Sequence, residues 1–384
     1  MSNTEFSEWF CLAADRRNFQ IDPQRDKAFL FGEPTWENEI DSRLRRAQLL
    51  GEPVRLVWWG QYGIGKTHRL HHTEHLVNTK GYKYLTSYVV ASDIQDKTGF
   101  DRLHYEMVNS LGKDQMRHMV SHYLLKVQTD PASVPAVRDV CSGIGDVESA
   151  FRSFGGYNDQ LVTPGWRFLC GLKLKDTDLA LANVTKNSLD SSLDFAAVIA
   201  AFATIVGLES GRELLFLMDE CENLARVTNK SAENRWQETI RSLLDIRNVS
   251  LVFAIGAERQ DNLPKVILQP DIVRRIQKDN YLQMAAFTGP VARHFLTGLL
   301  RQWIDNDRRA ALEAEGALSG TDYTPDSYPF TTAAFTKFCE WAVVDPRAAK
   351  PSVIIDKLNN VAAEAFFKKE RLISLDVLAD VGIA

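Results

Sequence analysis

Val54 to Asn78 reads VRLVWWGQYGIGKTHRLHHTEHLVN, and this stretch decides the fold. Its first six residues form a short apolar run bounded by Pro53 on one side and Gly60 on the other, the pattern of a strand buried on both faces. The next eight, Gly60, Gln61, Tyr62, Gly63, Ile64, Gly65, Lys66 and Thr67, fit G-x-x-x-x-G-K-[ST] at every fixed position. A helix is expected from Lys66 to about Asn78. The glycines let backbone N–H groups turn inward around phosphate oxygens, and the helix N-terminus adds its dipole. Lys66 then reaches the β- and γ-phosphates, and the Thr67 hydroxyl is placed to ligate Mg²⁺. A chance Gly-rich turn is the plainer reading, but the strand, loop and helix context counts against it.

Phosphoryl transfer also needs an acidic group near the metal and a group that orients the attacking water. ELLFLMDE (213–220) supplies both at the end of an apolar strand: Asp219 for the metal and Glu220 as base. VSLVFAIG (249–256) reads as a further buried strand, residues 82–90 as a β-rich run, and residues 100–111 as a helix. Buried strands alternating with helices imply an α/β fold with a parallel sheet.

Between residues 112 and 211 the strand pattern disappears and helical segments replace it, notably 166–173 and 193–208. So long a stretch is no simple loop, and it is expected to be a helical insertion. From residue 289 the pattern is helical to the end, with apolar faces in PVARHFLTGLLRQWI, AAFTKFCEWAVV and SVIIDKLNNVAAEAFF. The expected organisation is therefore an N-terminal strap (1–50) that includes a helix over about 36–50, a core (51–288) carrying the insertion, and a C-terminal helical subdomain (289–384).

The 384 residues include 45% hydrophobic and 25% charged types and carry a net charge of −5, so any nucleic-acid contact must come from a local patch or from assembly. Five scattered cysteines fit neither a disulfide framework nor a paired metal spacing. No targeting segment is read at the N-terminus, and the apolar stretch near 195–208 is taken as too short and interrupted to span a bilayer. A soluble cytoplasmic protein, with no membrane partner, is the expectation.

GQYGIGKT, LLFLMDECENL, VFAIGAER, QPDIVRRI and the segment Asp345-Pro346-Arg347 together resemble the AAA+ superfamily, in its initiator-like and transposition-regulator-like branch, over roughly residues 30–370. The insert GWRFLCGLKL, an apolar helix and GRELLFLMDECENL are similar to ATP-binding proteins of bacterial phage-defence systems of the BREX type. The resemblance implies a P-loop AAA+ core with a C-terminal helical lid, hydrolysis of ATP with Mg²⁺, and assembly into a homo-oligomer. An arginine of one subunit would reach the γ-phosphate in the next, and Arg274 or Arg275 occupies the matching place. Arg347 matches the lid arginine, although Pro351 departs from the usual pattern and leaves Lys350 or a neighbour as an alternative. Glu258 is taken for the first sensor.

The implied function is a nucleotide-gated regulator or motor in a DNA-directed system, defensive or mobile, with a partner protein on a separate chain and DNA as an admissible ligand. A sensor-type signalling ATPase acting as a switch for a separate effector is the alternative. A small-molecule kinase is a third class, disfavoured by the Asp-Glu pair and the helical C-terminal region. His68, His71, His72 and His75 have a spacing that could face a metal, but a helix packed against the sheet, without a carboxylate or thiol framework, is the preferred reading and no zinc is expected. Trp58 and Trp59 are read as core, and the basic clusters at 43–46, 308–309 and 368–371 as solvated helix faces.

Overall fold

The computed structural model describes residues 3–31, 34–92, 94–95, 99–318, 321–345 and 349–383. Five parallel strands form its sheet: β1 (Arg55–Gly60), β2 (Tyr84–Val90), β3 (Glu213–Asp219), β4 (Val249–Gly256) and β5 (Tyr281–Gln283), in the order β2-β3-β4-β1-β5. The burial of each strand follows from its place. Central β3 and β4 are buried along almost their whole length, as their unbroken apolar sequences require. Edge strand β2 alternates buried and half-buried residues, and the other edge, β5, is only three residues long. The fold class expected from the sequence, α/β around a parallel sheet with a helical insertion and a C-terminal helical region, is the one observed.

The chain divides into two compact units. One comprises residues 41–61 and 73–283 and contains the sheet and the insertion. Helices fill the insertion, and several form where the sequence supplies a cap. Ser191 and Asp194 make a reciprocal capping box at the start of the Ser192–Ser210 helix, and Gly211 ends that helix in the left-handed region. Gly145–Gly155 and Asp159–Leu169 pack closely because Gly165 carries no side chain. A Cβ there would stand 2.8 Å from the Ala150 carbonyl oxygen.

Two readings of the insertion need correction. Helix was expected over 166–173, but the helix runs Asp159–Leu169 and the chain turns at Gly171, whose φ is +75°. The apolar stretch near 195–208, taken as too short and interrupted for a bilayer, lies in the Ser192–Ser210 helix. That helix has 19 residues and is long and apolar enough by length and composition, but Phe195, Val198, Ile199, Phe202, Ile205 and Val206 are buried within the core of this unit. Interior packing against β3 and the Lys230–Leu244 helix accounts for the apolar sequence.

The second unit comprises residues 1–40, 62–72 and 284–384. Phe10, Leu12, Phe19 and Phe31 share a core with Phe295, Trp303, Phe338 and Leu358, so the N-terminal segment belongs to the C-terminal helices. A buried bidentate pair between Arg16 and Asp26 lies against the Trp303 ring. Arg25 and the Asp22 N–H also bond to Asp26, and Asp15 pairs with Arg16, so the buried charges are shared over a small network. The three helices read at the C-terminus are present as Gly289–Trp303, Thr332–Val344 and Pro351–Phe367.

Candidate functional site

β1 and β3 run parallel with β4 between them, so Gly60 and Asp219 end their strands at the same edge of the sheet. That edge is the usual ligand-facing side of an open α/β sheet. Gly60 pairs in register with Gly256 of β4, and its carbonyl accepts the Ala257 N–H at 3.0 Å.

The loop from Gly60 into the Lys66–Thr79 helix has the backbone that its glycines allow. Gly63 and Gly65 have φ of +78° and +91°. Both glycines lie in the turn that leads from Gln61 into the Lys66–Thr79 helix. Amides left in such a turn at a helix N-terminus form a nest for an anion. Lys66 is largely buried, with its ammonium 5.4 Å from the Tyr62 ring centroid. Within the same unit the Ser352 N–H donates to the Gly63 carbonyl at 3.3 Å, which seats the start of the Pro351–Phe367 helix on the loop. A polyphosphate fits the donor types of the loop itself: backbone amides, one ammonium and the Thr67 hydroxyl.

The corner after β3 is held by its neighbours. The side chain of Asp219 is 4% exposed; its Oδ1 accepts the Glu220 N–H at 2.9 Å and its Oδ2 accepts the Tyr88 hydroxyl at 2.7 Å. The Ala91 N–H donates to the Asp219 carbonyl, and the Asn223 side chain donates to the Ala91 carbonyl. Glu220 is exposed and left-handed, at φ +54°, a conformation costing of order 1 kcal/mol for a residue with a side chain. Glu222 Oε2 accepts the Gly256 N–H at 2.7 Å and so fastens the corner to the end of β4. Burial, reinforced by the neighbouring Asp219 carboxylate, pushes the Tyr88 phenol well above its ordinary range, which keeps it a hydrogen-bond donor.

The two candidate arginines stand differently. Arg275 makes a bidentate pair with Asp245, at 2.7 and 2.9 Å, and also donates to the Asp271 carbonyl. The hydrogen bond to Asp245 raises the Arg275 pKa, and the same bond lowers that of Asp245. Arg274 is exposed at the end of the Pro270–Ile276 helix. Glu258 is exposed two residues beyond β4. Arg347 lies outside the described residues, whereas Lys350 immediately precedes the helix that Pro351 opens.

Trp58 and Trp59 are buried, as expected of core residues. His68 and His72 are buried against the N-terminal segment, hydrogen-bonded to the Phe29 and Lys27 carbonyls at 2.6 and 2.8 Å. Sequence reading missed Tyr88, Glu222 and Ser352. Glu222 had a visible signal, lying three residues after Asp219 in DECE; Tyr88 and Ser352 had none.

No protein-family model matches the chain, and no curated protein matches it significantly. Among solved structures it is similar to the RuvB Holliday junction branch migration motor of Thermotoga maritima, with 14% identity and a TM-score of 0.37 over 91% of this chain and 68% of that one. It is also similar to a Walker-type ATPase of Pyrococcus abyssi, with 13% identity and a TM-score of 0.39 over 95% of this chain and 80% of that one. At such identities the likeness carries no chemistry, which rests on the residues described above.

Proposed function

We propose that this chain is an AAA+ ATPase that binds ATP on the Gly60–Thr67 loop and hydrolyses it with Asp219 and Glu220. The observation that carries the reading is the backbone of the loop, left-handed at Gly63 and Gly65 and opening the Lys66–Thr79 helix. Lys66 offsets the β- and γ-phosphate charge, while Thr67 and Asp219 would hold Mg²⁺. The metal would supply charge neutralisation on the transferring phosphoryl group. Glu220, exposed beside the fixed Asp219, accepts the proton of the attacking water.

The finer reading is a homo-oligomer in which Arg274 reaches a neighbouring subunit's nucleotide and the assembly acts as a regulator or motor in a DNA-directed system, with a partner on another chain. Arg274 is preferred because Arg275 is committed to Asp245. Hydrolysis measured against protein concentration, with and without DNA, tests this reading. Turnover per chain should rise with concentration, and Arg274→Ala should lower it while leaving ATP binding within about twofold. A monomer fully active at every concentration and indifferent to DNA would exclude the assembled motor; ATP binding unaffected by Lys66→Ala would exclude the phosphate site itself.

A further inference from the structure

We propose that the chain binds a second copy of itself head to tail, an apolar knob at the end of the Pro34–Leu50 helix entering an apolar hole just beyond the Asp219–Glu222 corner. The inference deepens the reading of an oligomer by naming the surfaces that meet. Both lie in the unit that contains the sheet. The hole is a cavity of about 240 Å³ between the Cys221–Arg226 turn, the start of the Lys230–Leu244 helix and residues 261–266. Leu224, Trp236, Leu263, Pro264 and Val266 line it and are themselves buried. Its charged residues lie towards solvent: Glu233 is half-buried, and Asp261 and Lys265 are exposed. Sites for small molecules usually run to about 300–1,000 Å³. A smaller, apolar-floored hole suits a side chain of another protein better than a free ligand.

The knob is on the same unit. Leu49 is 83% exposed and Leu50 52% exposed at the last turn of their helix. A single exposed leucine is ordinary. Here two adjacent ones stand with Arg46 at spacings of three and four, which puts the three on one helix face, and exposed Glu52 follows. Among the described residues, neither Arg46 nor Glu233 makes an ion pair, whereas Asp261 is answered by Arg259 at 3.1 Å. The charges beside knob and hole are thus complementary in both signs, Arg46 to Glu233 and Glu52 to Lys265. The knob precedes the start of β1, while the hole follows the ends of β3 and β4, which run parallel to β1. Knob and hole therefore lie at opposite edges of the sheet, and one copy can give its knob to one neighbour while receiving that of another. Such a contact is heterologous, of the kind that builds rings or filaments.

The test is sedimentation equilibrium of the full chain over a range of concentrations, with a non-hydrolysable ATP analogue present. Replacing both leucines, Leu49→Ala with Leu50→Ala, should raise the dissociation constant roughly 10- to 100-fold. Both are exposed, so the unfolding temperature of the dilute chain should not change. Arg46→Glu and Glu233→Arg should each weaken association, and the two together in one chain should restore it. A mixture of Leu49→Asp chains, which lack the knob, with Glu233→Arg chains, which lack the hole, should give dimers and nothing larger. Association unchanged without the two leucines, or a charge-swapped double variant no better than the single ones, would overturn these surfaces and leave assembly by another face. A wild-type chain that stays monomeric at every concentration would remove this proposal and the oligomer together. Loss of ATP binding in Lys66→Ala would still leave the phosphate site standing in either case.

Discussion

The Gly60–Thr67 loop takes its shape from missing side chains, whereas the Asp219–Glu222 corner takes its shape from side chains bonded to its neighbours. In the loop, left-handed Gly63 and Gly65 shape the backbone, and only Lys66 and Thr67 add side-chain chemistry. In the corner, Tyr88 from β2 and Glu222 from beyond β3 hold a pair of carboxylates at a strand end. A backbone site is damaged by adding atoms and a side-chain site by removing charge. The two regions should therefore fail in different ways, and substitutions can separate them.

The largest effect belongs to the corner. Glu220→Gln keeps size and hydrogen-bonding reach but removes the charge proposed to accept a proton. Turnover at saturating ATP should fall about 10²- to 10⁴-fold, while ATP affinity stays within a few-fold. The variant should accumulate with ATP bound and, if assembly follows nucleotide state, form longer-lived oligomers than wild type. Phosphate release and size measurement on the same sample read both. A wild-type rate would show that the base is another group.

A smaller effect, on binding rather than turnover, belongs to the loop. Gly63→Ala adds a Cβ 2.1 Å from Ser352 Oγ at a residue whose φ is +78°. The left-handed conformation alone costs about 1–2 kcal/mol, so ATP affinity should fall roughly 10-fold or more. Adding Ser352→Gly removes the clash but not the backbone strain, and should recover only part of the loss. Full recovery would mean that the loop tolerates a side chain and that the Pro351–Phe367 helix start sets the constraint.

The two regions also differ in how much of them could be read. The backbone of the loop was legible because its glycines lie at fixed spacing between a strand and a helix. β3 and β4 were legible because a strand buried on both faces must be apolar throughout. The supports of the corner were not: Tyr88 lies 131 residues from Asp219, and only the register of β2 on β3 brings them together. The same holds for Arg275. Its neighbour Arg274 looks equivalent in QPDIVRRI, and the difference comes from Asp245, 30 residues away, which pairs with one of them. The N-terminal aromatics Phe10, Phe19 and Phe31 carry no periodicity that announces a core shared with helices some 300 residues later.

The smallest effect sharpens the corner itself, where three carboxylates, Asp219, Glu220 and Glu222, lie within four residues. Glu222→Gln retains an acceptor for the Gly256 N–H but replaces a charge-assisted bond with a neutral one, a loss of about 1 kcal/mol. The melting temperature should drop by a few degrees. Turnover should fall only a few-fold, because Tyr88, Ala91 and the Glu220 N–H still hold Asp219, and the Ala257 N–H still ties the end of β4 to Gly60. Glu222→Ala removes the acceptor altogether and should cost more stability without changing the chemistry. Assaying Glu220→Gln and Glu222→Gln side by side at saturating ATP makes this decisive. A fall in Glu222→Gln as deep as in Glu220→Gln would move the base from the exposed left-handed residue to the one bonded to β4, and the corner would then be held by its own catalyst.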